Sequence, residues 1–174
     1  MSGVISDNFD RQSGLLKAVA ATGGGKIGTV ESSTTSTAET IDATSYTASS
    51  YVKDTITPSA AGSKIFVYFC VSRRIYQGSS LAQIYRDVDS AGFASALASY
   101  QIGGRYDGPR ANQTSSAVSG IFGIDTPTYD LGESIEYKLY CRDDPDSIAG
   151  YTNNGVGLQY GDTTSSMTLM EILA

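Results

Sequence analysis

Apolar residues recur at every second position through much of this 174-residue chain, a spacing that predicts strands rather than helices. The strongest run is "SKIFVYFCVS", where Ile65, Val67, Phe69 and Val71 fall on one face and Phe66, Tyr68 and Cys70 on the other. Both faces need cover, so this strand is central in its sheet or lies beneath a second subunit. In "SIEYKLYCR", Ile135, Tyr137, Leu139 and Cys141 alternate with Glu136, Lys138, Tyr140 and Arg142, setting a core face against a wet or interfacial one. "SAVSGIFGID" and the closing "SSMTLMEILA" also read as strands. "SSLAQIYRDVDSAG" reads as a strand running into a turn at Asp89, Ser90 and Gly92.

Elsewhere the pattern is weaker. The Ser/Thr-rich stretch from Ile27 to Ile56 predicts one or two strands with an exposed face. "FASALASYQIGG" suits a helix or a strand, and its short length and bracketing glycines favour the strand. "RDDPDSIAGYTNNGVG" reads as a long polar turn. The sum is roughly eight strands joined by Gly, Asp and Asn turns, which predicts an all-β chain folded as a jelly-roll β-sandwich.

Residues 1–19 fit neither period. Val4, Ile5, Phe9, Leu15, Leu16 and Val19 are scattered, and Gly3 and Gly14 interrupt them, so the segment reads as an extended arm laid across a neighbour. The run "AATGGGKIGTV" follows. A phosphate-binding loop would place glycine at Ala20 and a hydroxyl at Ile27, and the chain has neither, so Gly23, Gly24 and Gly25 read as a hinge. The expected organisation is an arm and hinge over residues 1–26 and one domain over 27–174.

Net charge is −6, with residues 1–26 at +1 and the remainder at −7. An acidic body offers no basic face to phosphates, which argues against a nucleic-acid partner. The sequence has no bilayer-length apolar run and no secretory signal pattern, which argues against a membrane partner and for synthesis in a cytoplasm. Cys70 and Cys141 sit in strand-like runs as packed, reduced thiols.

The opening "SGVISDNFDRQSGLLKA", the strand "KIFVYFCVS" and the closing "SSMTLMEILA" resemble small virion proteins of tailed bacteriophages from aquatic bacteria, tail-fibre or capsid-decoration components. The body also resembles the C1q/TNF-like jelly-roll, whose members are homotrimers. The resemblance implies a homotrimer located in the virion and assembled in the host cytoplasm. Its partners would be itself and the major capsid protein or another virion protein. The implied docking residues of the arm are Val4, Ile5, Phe9, Arg11, Leu15 and Leu16. The trimer interface is expected at Phe66, Tyr68, Tyr140, Met167, Leu169 and Glu171, because such trimers hide a sheet face and tyrosines suit that role.

Candidate chemistry is sparse. The chain has no histidine, which removes Ser-His-Asp and Cys-His catalysis and the commonest zinc ligand. No carboxylate pair stands out for glycoside cleavage, so the expectation is no enzyme, no metal and no cofactor. Asp143, Asp144 and Asp146 form either a solvated turn or a calcium site, without the spacing of an EF-hand. Glu171 is in phase with Met167 and Leu169, and so either the strand's end is exposed or a cation such as Arg86 or Arg142 pairs with it across an interface. Arg73, Arg74 and Tyr76 read as one loop and Arg105 and Tyr106 as another; Arg74, Tyr76, Arg105 and Tyr106 are the candidate contacts to a receptor glycan. A decoration protein is favoured over a tail-fibre or receptor-binding trimer because no coiled-coil or repeated shaft segment is present. A carbohydrate-binding or carbohydrate-cleaving module is the alternative of another class.

Overall fold

The computed structural model describes residues 26–76, 79–93, 114–144, 156–159 and 163–174. The arm, the hinge glycines, Arg105, Tyr106, Asp146 and nearly all of "FASALASYQIGG" lie outside the described residues. Within them the chain is all-β, with nine strands: β1 (Ile27–Thr35), β2 (Glu39–Ile41), β3 (Thr47–Ile56), β4 (Lys64–Tyr76), β5 (Ser79–Val88), β6 (Thr114–Asp125), β7 (Ile135–Asp144), β8 (Val156–Leu158) and β9 (Ser165–Ile172).

Two antiparallel sheets face one another as a β-sandwich. In the larger, β4 lies between β6 on one side and β9 and β8, end to end, on the other; β1 pairs with β9 and β2 with β8. The smaller sheet has the order β3-β7-β5. From β2 to β8, each described strand lies in the opposite sheet from the one before it, so the sheets are built by crossing rather than by hairpins.

Period-2 patterning explains the core. Ile65, Val67, Phe69 and Val71 of β4 are buried between the sheets, together with Tyr137 and Leu139 of β7 and Met167 and Leu169 of β9. As expected of an apolar two-faced strand, β4 is central. The Ile27 to Ile56 stretch forms three strands rather than one or two. β8 emerges from the end of the predicted polar turn: its three residues are all buried, but a run that short carries no readable period. Arg73 and Arg74 belong to β4 and not to a loop, because its pairing with β6 continues without interruption to Tyr76↔Thr114.

Two buried polar clusters lock the sandwich. Asp125 of β6 accepts both nitrogen-borne hydrogen bonds from Arg86 Nη1 of β5, at 2.8 and 2.7 Å, and a third from Tyr137 Oη of β7 at 2.9 Å. The larger sheet supplies the carboxylate and the smaller sheet the guanidinium and the phenol, so this cluster ties the two layers together; the Thr126 N–H adds a local bond to Oδ1 at 2.8 Å. A buried ion pair has to offset its desolvation, and the additional phenol bond helps it do so.

The second cluster surrounds Glu171, which is fully buried in the core phase of β9. No cation holds it. Oε2 accepts from the Thr29 N–H at 2.8 Å and the Ser59 hydroxyl at 2.7 Å, and Oε1 from the N–H groups of Ser59 at 2.9 Å and Ala60 at 3.1 Å. This corrects both expectations for Glu171: the strand end is not exposed, and the carboxylate is satisfied within its own chain. Burial pushes its pKa up, but the hydrogen bonds from Thr29 and Ser59 outweigh that and hold it at about 2, below its ordinary value of 4.5. The site exists because β1 bulges between Ile27 and Val30 opposite Glu171. Gly28 sits in that bulge, where a Cβ would collide with the carboxylate.

A carboxyl depressed on folding stabilises the native state above its unfolded pKa, and that contribution disappears as the pH falls toward the folded value. Urea titrations of the wild type should therefore show a midpoint that drops between pH 4.5 and about 2. Glu171→Gln, which turns an NH2 donor toward donors, should be about 2–3 kcal/mol less stable at pH 7 and flatter through that window. An unchanged acid slope in the variant would show that other groups govern it. Gly28→Val should lose about 2 kcal/mol or more by the same assay, because the added side chain displaces the carboxylate.

Candidate functional site

The outward side chains of the two sheets differ in kind. On the larger sheet, register sets three cross-strand rows running from β1 through β9 and β4 to β6. They are Val30, Met170, Phe66 and Ile124; Ser32, Thr168, Tyr68 and Phe122; and Thr34, Ser166, Cys70 and Gly120. None of these positions carries Asp, Glu, Lys or Arg. Lys64 lies before the first row and Arg74 beyond the last, so charge frames the face without entering it.

Large apolar side chains concentrate toward β6. Val118, Phe122 and Ile124 are 67%, 65% and 55% exposed, and Val30 on the opposite edge is 49% exposed. The Tyr68 and Phe122 rings lie 6.4 Å apart. Tyr68 also leans over Gly120, whose missing side chain leaves room for its ring. Cys70, by its charge and by a hydrogen bond, and burial to a lesser degree push the Tyr68 phenol up, so it remains neutral at physiological pH. A contiguous uncharged patch of this kind is a candidate interaction surface.

The smaller sheet presents the opposite character. Glu136 lies between Lys53 at 3.3 Å and Lys138 at 3.4 Å. Tyr85 and Tyr140 stack with ring centroids 4.0 Å apart, Tyr46 lies 6.3 Å from Tyr85, and Phe93 lies 5.8 Å from Tyr140. Lys138 Nζ sits 4.6 Å from the Phe93 ring and the Arg142 guanidinium 5.2 Å from that of Tyr46. Burial first, then the nearby Tyr85, Glu136 and Asp87, raise the Tyr140 phenol pKa. This face is polar, self-paired and aromatic.

The residues expected at a trimer interface are thus distributed over three places. Phe66 and Tyr68 stand on the uncharged face, Tyr140 on the other sheet, and Met167, Leu169 and Glu171 inside the single chain. On β9 the outward positions are Thr168 and Met170, one residue out of phase from those expected. The exposed members Val118, Phe122 and Ile124 were not singled out, although "SAVSGIFGI" shows the alternation that places them on one side. Of the candidate receptor contacts, Arg74 and Tyr76 lie in β4, while Arg105 and Tyr106 lie outside the described residues. Cys70 lies half-buried on the outer face, whereas Cys141 is buried; neither forms a disulfide.

Among the described residues, no group of three or more acidic or cysteine side chains is arranged to hold a metal ion. With the geometry in place, comparison with known proteins adds no family: no protein-family model matches the chain, and no curated protein matches it.

Proposed function

We propose that this chain is a non-enzymatic structural protein of a bacteriophage virion, a homotrimeric capsid decoration protein docked through its N-terminal arm. The observation that carries the assembly reading is the uncharged face of the larger sheet. Sister subunits are its occupants: three copies would remove the exposed rows around Phe66 and Phe122 from water, while the charged outer face of the smaller sheet stays solvated. The alternation of strands between two sheets, with β9 between β1 and β4, supports a jelly-roll of the C1q/TNF-like kind. The virion setting rests on the resemblance of the chain's opening, its β4 run and its closing strand.

A second reading draws on the other sheet. Tyr46, Tyr85 and Tyr140 beside Arg142 form an aromatic platform with cations at its rim, a chemistry suited to stacking on sugar rings, and this favours a tail-fibre or receptor-binding trimer. The two readings share the trimer and differ in what it meets.

Light scattering on the full chain should give three times the 18.3 kDa chain mass. Phe122→Asp together with Ile124→Asp should yield monomers that keep the strand signature in circular dichroism, since both side chains are more than half exposed. A wild-type monomer at tens of micromolar would overturn the assembly reading. Co-sedimentation with undecorated capsids separates the two settings: binding supports decoration, whereas retention on host polysaccharide without capsid binding supports the receptor reading.

A further inference from the structure

The sheet edges are not equally protected. β1, at one end of the larger sheet, carries a bulge and Glu31; β3 carries a bulge with Lys53 and Asp54; β5 carries Arg86 and Asp87. Charges and bulges of this kind are how natural sheets keep an edge from pairing with another chain. β6 has neither. Its 12 residues pair with β4 through an uninterrupted register, and from Thr114 to Ile124 there is no Asp, Glu, Lys, Arg or Pro. Among the described residues no strand pairs with its far edge. Three of the exposed apolar side chains of the larger sheet, Val118, Phe122 and Ile124, stand on this same strand.

An edge that no described strand pairs, with no charge or proline from Thr114 to Ile124 and an adjoining apolar strip, is fitted to receive an extended segment by strand addition. We infer that the N-terminal segment of a neighbouring copy, within residues 1–25, adds to β6 as a further strand of the larger sheet. This rests on the trimer reading above and names what the arm meets first: another copy of this chain.

Reach and direction support that occupant. The segment holds 25 residues, enough for about 80 Å when extended. It joins the fold at Lys26, whose carbonyl accepts from the Leu173 N–H beside β1, the edge opposite β6. Three strand spacings, about 14 Å, separate the two edges, and the direct path between them crosses the uncharged face. In the trimer that face is covered, so an arm cannot lie along it to its own β6 and meets the β6 of a neighbour instead. Val4, Ile5, Phe9, Leu15 and Leu16 then supply apolar side chains to the end of the strip at Val118, beyond the three rows that the sister subunits cover.

Amide hydrogen exchange on the full chain reads this directly, because alternate β6 amides point away from β4 and are protected only if a strand is added. The reference is a full chain carrying Val4→Asp, Ile5→Asp, Phe9→Asp, Leu15→Asp and Leu16→Asp. The outward β6 amides should exchange at least tenfold more slowly in the wild type than in this variant, with the amides facing β4 unchanged. Isotope-labelled variant refolded together with unlabelled wild type should regain that protection, since the wild-type arms can reach its β6. Equal exchange in wild type and variant overturns the proposal. Protection that wild-type partners do not restore means that each arm fills its own edge, and overturns the exchange between copies. Light scattering of the same samples reports the assembly separately: a trimer with an open β6 edge defeats this inference alone, whereas a wild-type monomer defeats the trimer reading.

Discussion

Everything at one end of the sandwich depends on a single carboxylate. Glu171 gathers N–H groups from the β1 bulge and from the segment between β3 and β4, joining three stretches that are distant in sequence. None of those donors has a charged partner in competition, and the carboxylate needs none, because four hydrogen bonds replace the water it gives up. The bulge in β1, the glycine within it and the path of the chain into β4 are all shaped by that requirement. Asp125 performs a related task elsewhere with a different solution, a guanidinium and a phenol reaching across from the smaller sheet.

With its ends secured by buried polar groups, the sandwich is left with two outer faces that do unlike things. The smaller sheet spends its outward positions on ion pairs and stacked rings, which are stable in water. The larger sheet spends them on serine, threonine and large apolar side chains, with no charge among the three central rows. A central strand that is apolar on both sides, as β4 is, makes sense only when both sides are covered. Its inner side has the core; its outer side has the sister subunits that the proposed assembly provides.

The sequence carried the strands well and the interface less well, for identifiable reasons. β4, β7 and β9 show strict alternation, and in β7 the structure buries the side read as core, Ile135 to Cys141; in β4 and β9 it buries Ile65 to Val71 and Met167 to Leu169. The same alternation cannot say which of two apolar sides faces the partner sheet, which is why Met167 and Leu169 were expected outward and are found inward. Glu171 misled because an acid in a core phase suggests a cation, whereas backbone N–H groups from β1 and the β3 to β4 segment leave no trace in a sequence pattern. β8 was illegible at three residues, and Gly28 lies just past the glycine run read as a hinge, where nothing in the pattern marks a bulge. Arg73 and Arg74 looked like a loop because charge and polarity are the usual marks of one; pairing with β6 on one side and β8 on the other overrides that preference.

The placement of β9 also orders events in time. It lies between β1 and β4, so the first strand has no neighbour in its sheet until the last has been made, and the Thr29 to Glu171 bond spans 142 residues. Contacts of such long range close slowly and late. A nascent chain leaving the ribosome therefore holds β1 to β7 without the strand that completes the larger sheet, its Val118, Phe122 and Ile124 already exposed. Until β9 is in place those apolar side chains stand on an incomplete sheet, and they are the surface a chaperone would shield during that interval.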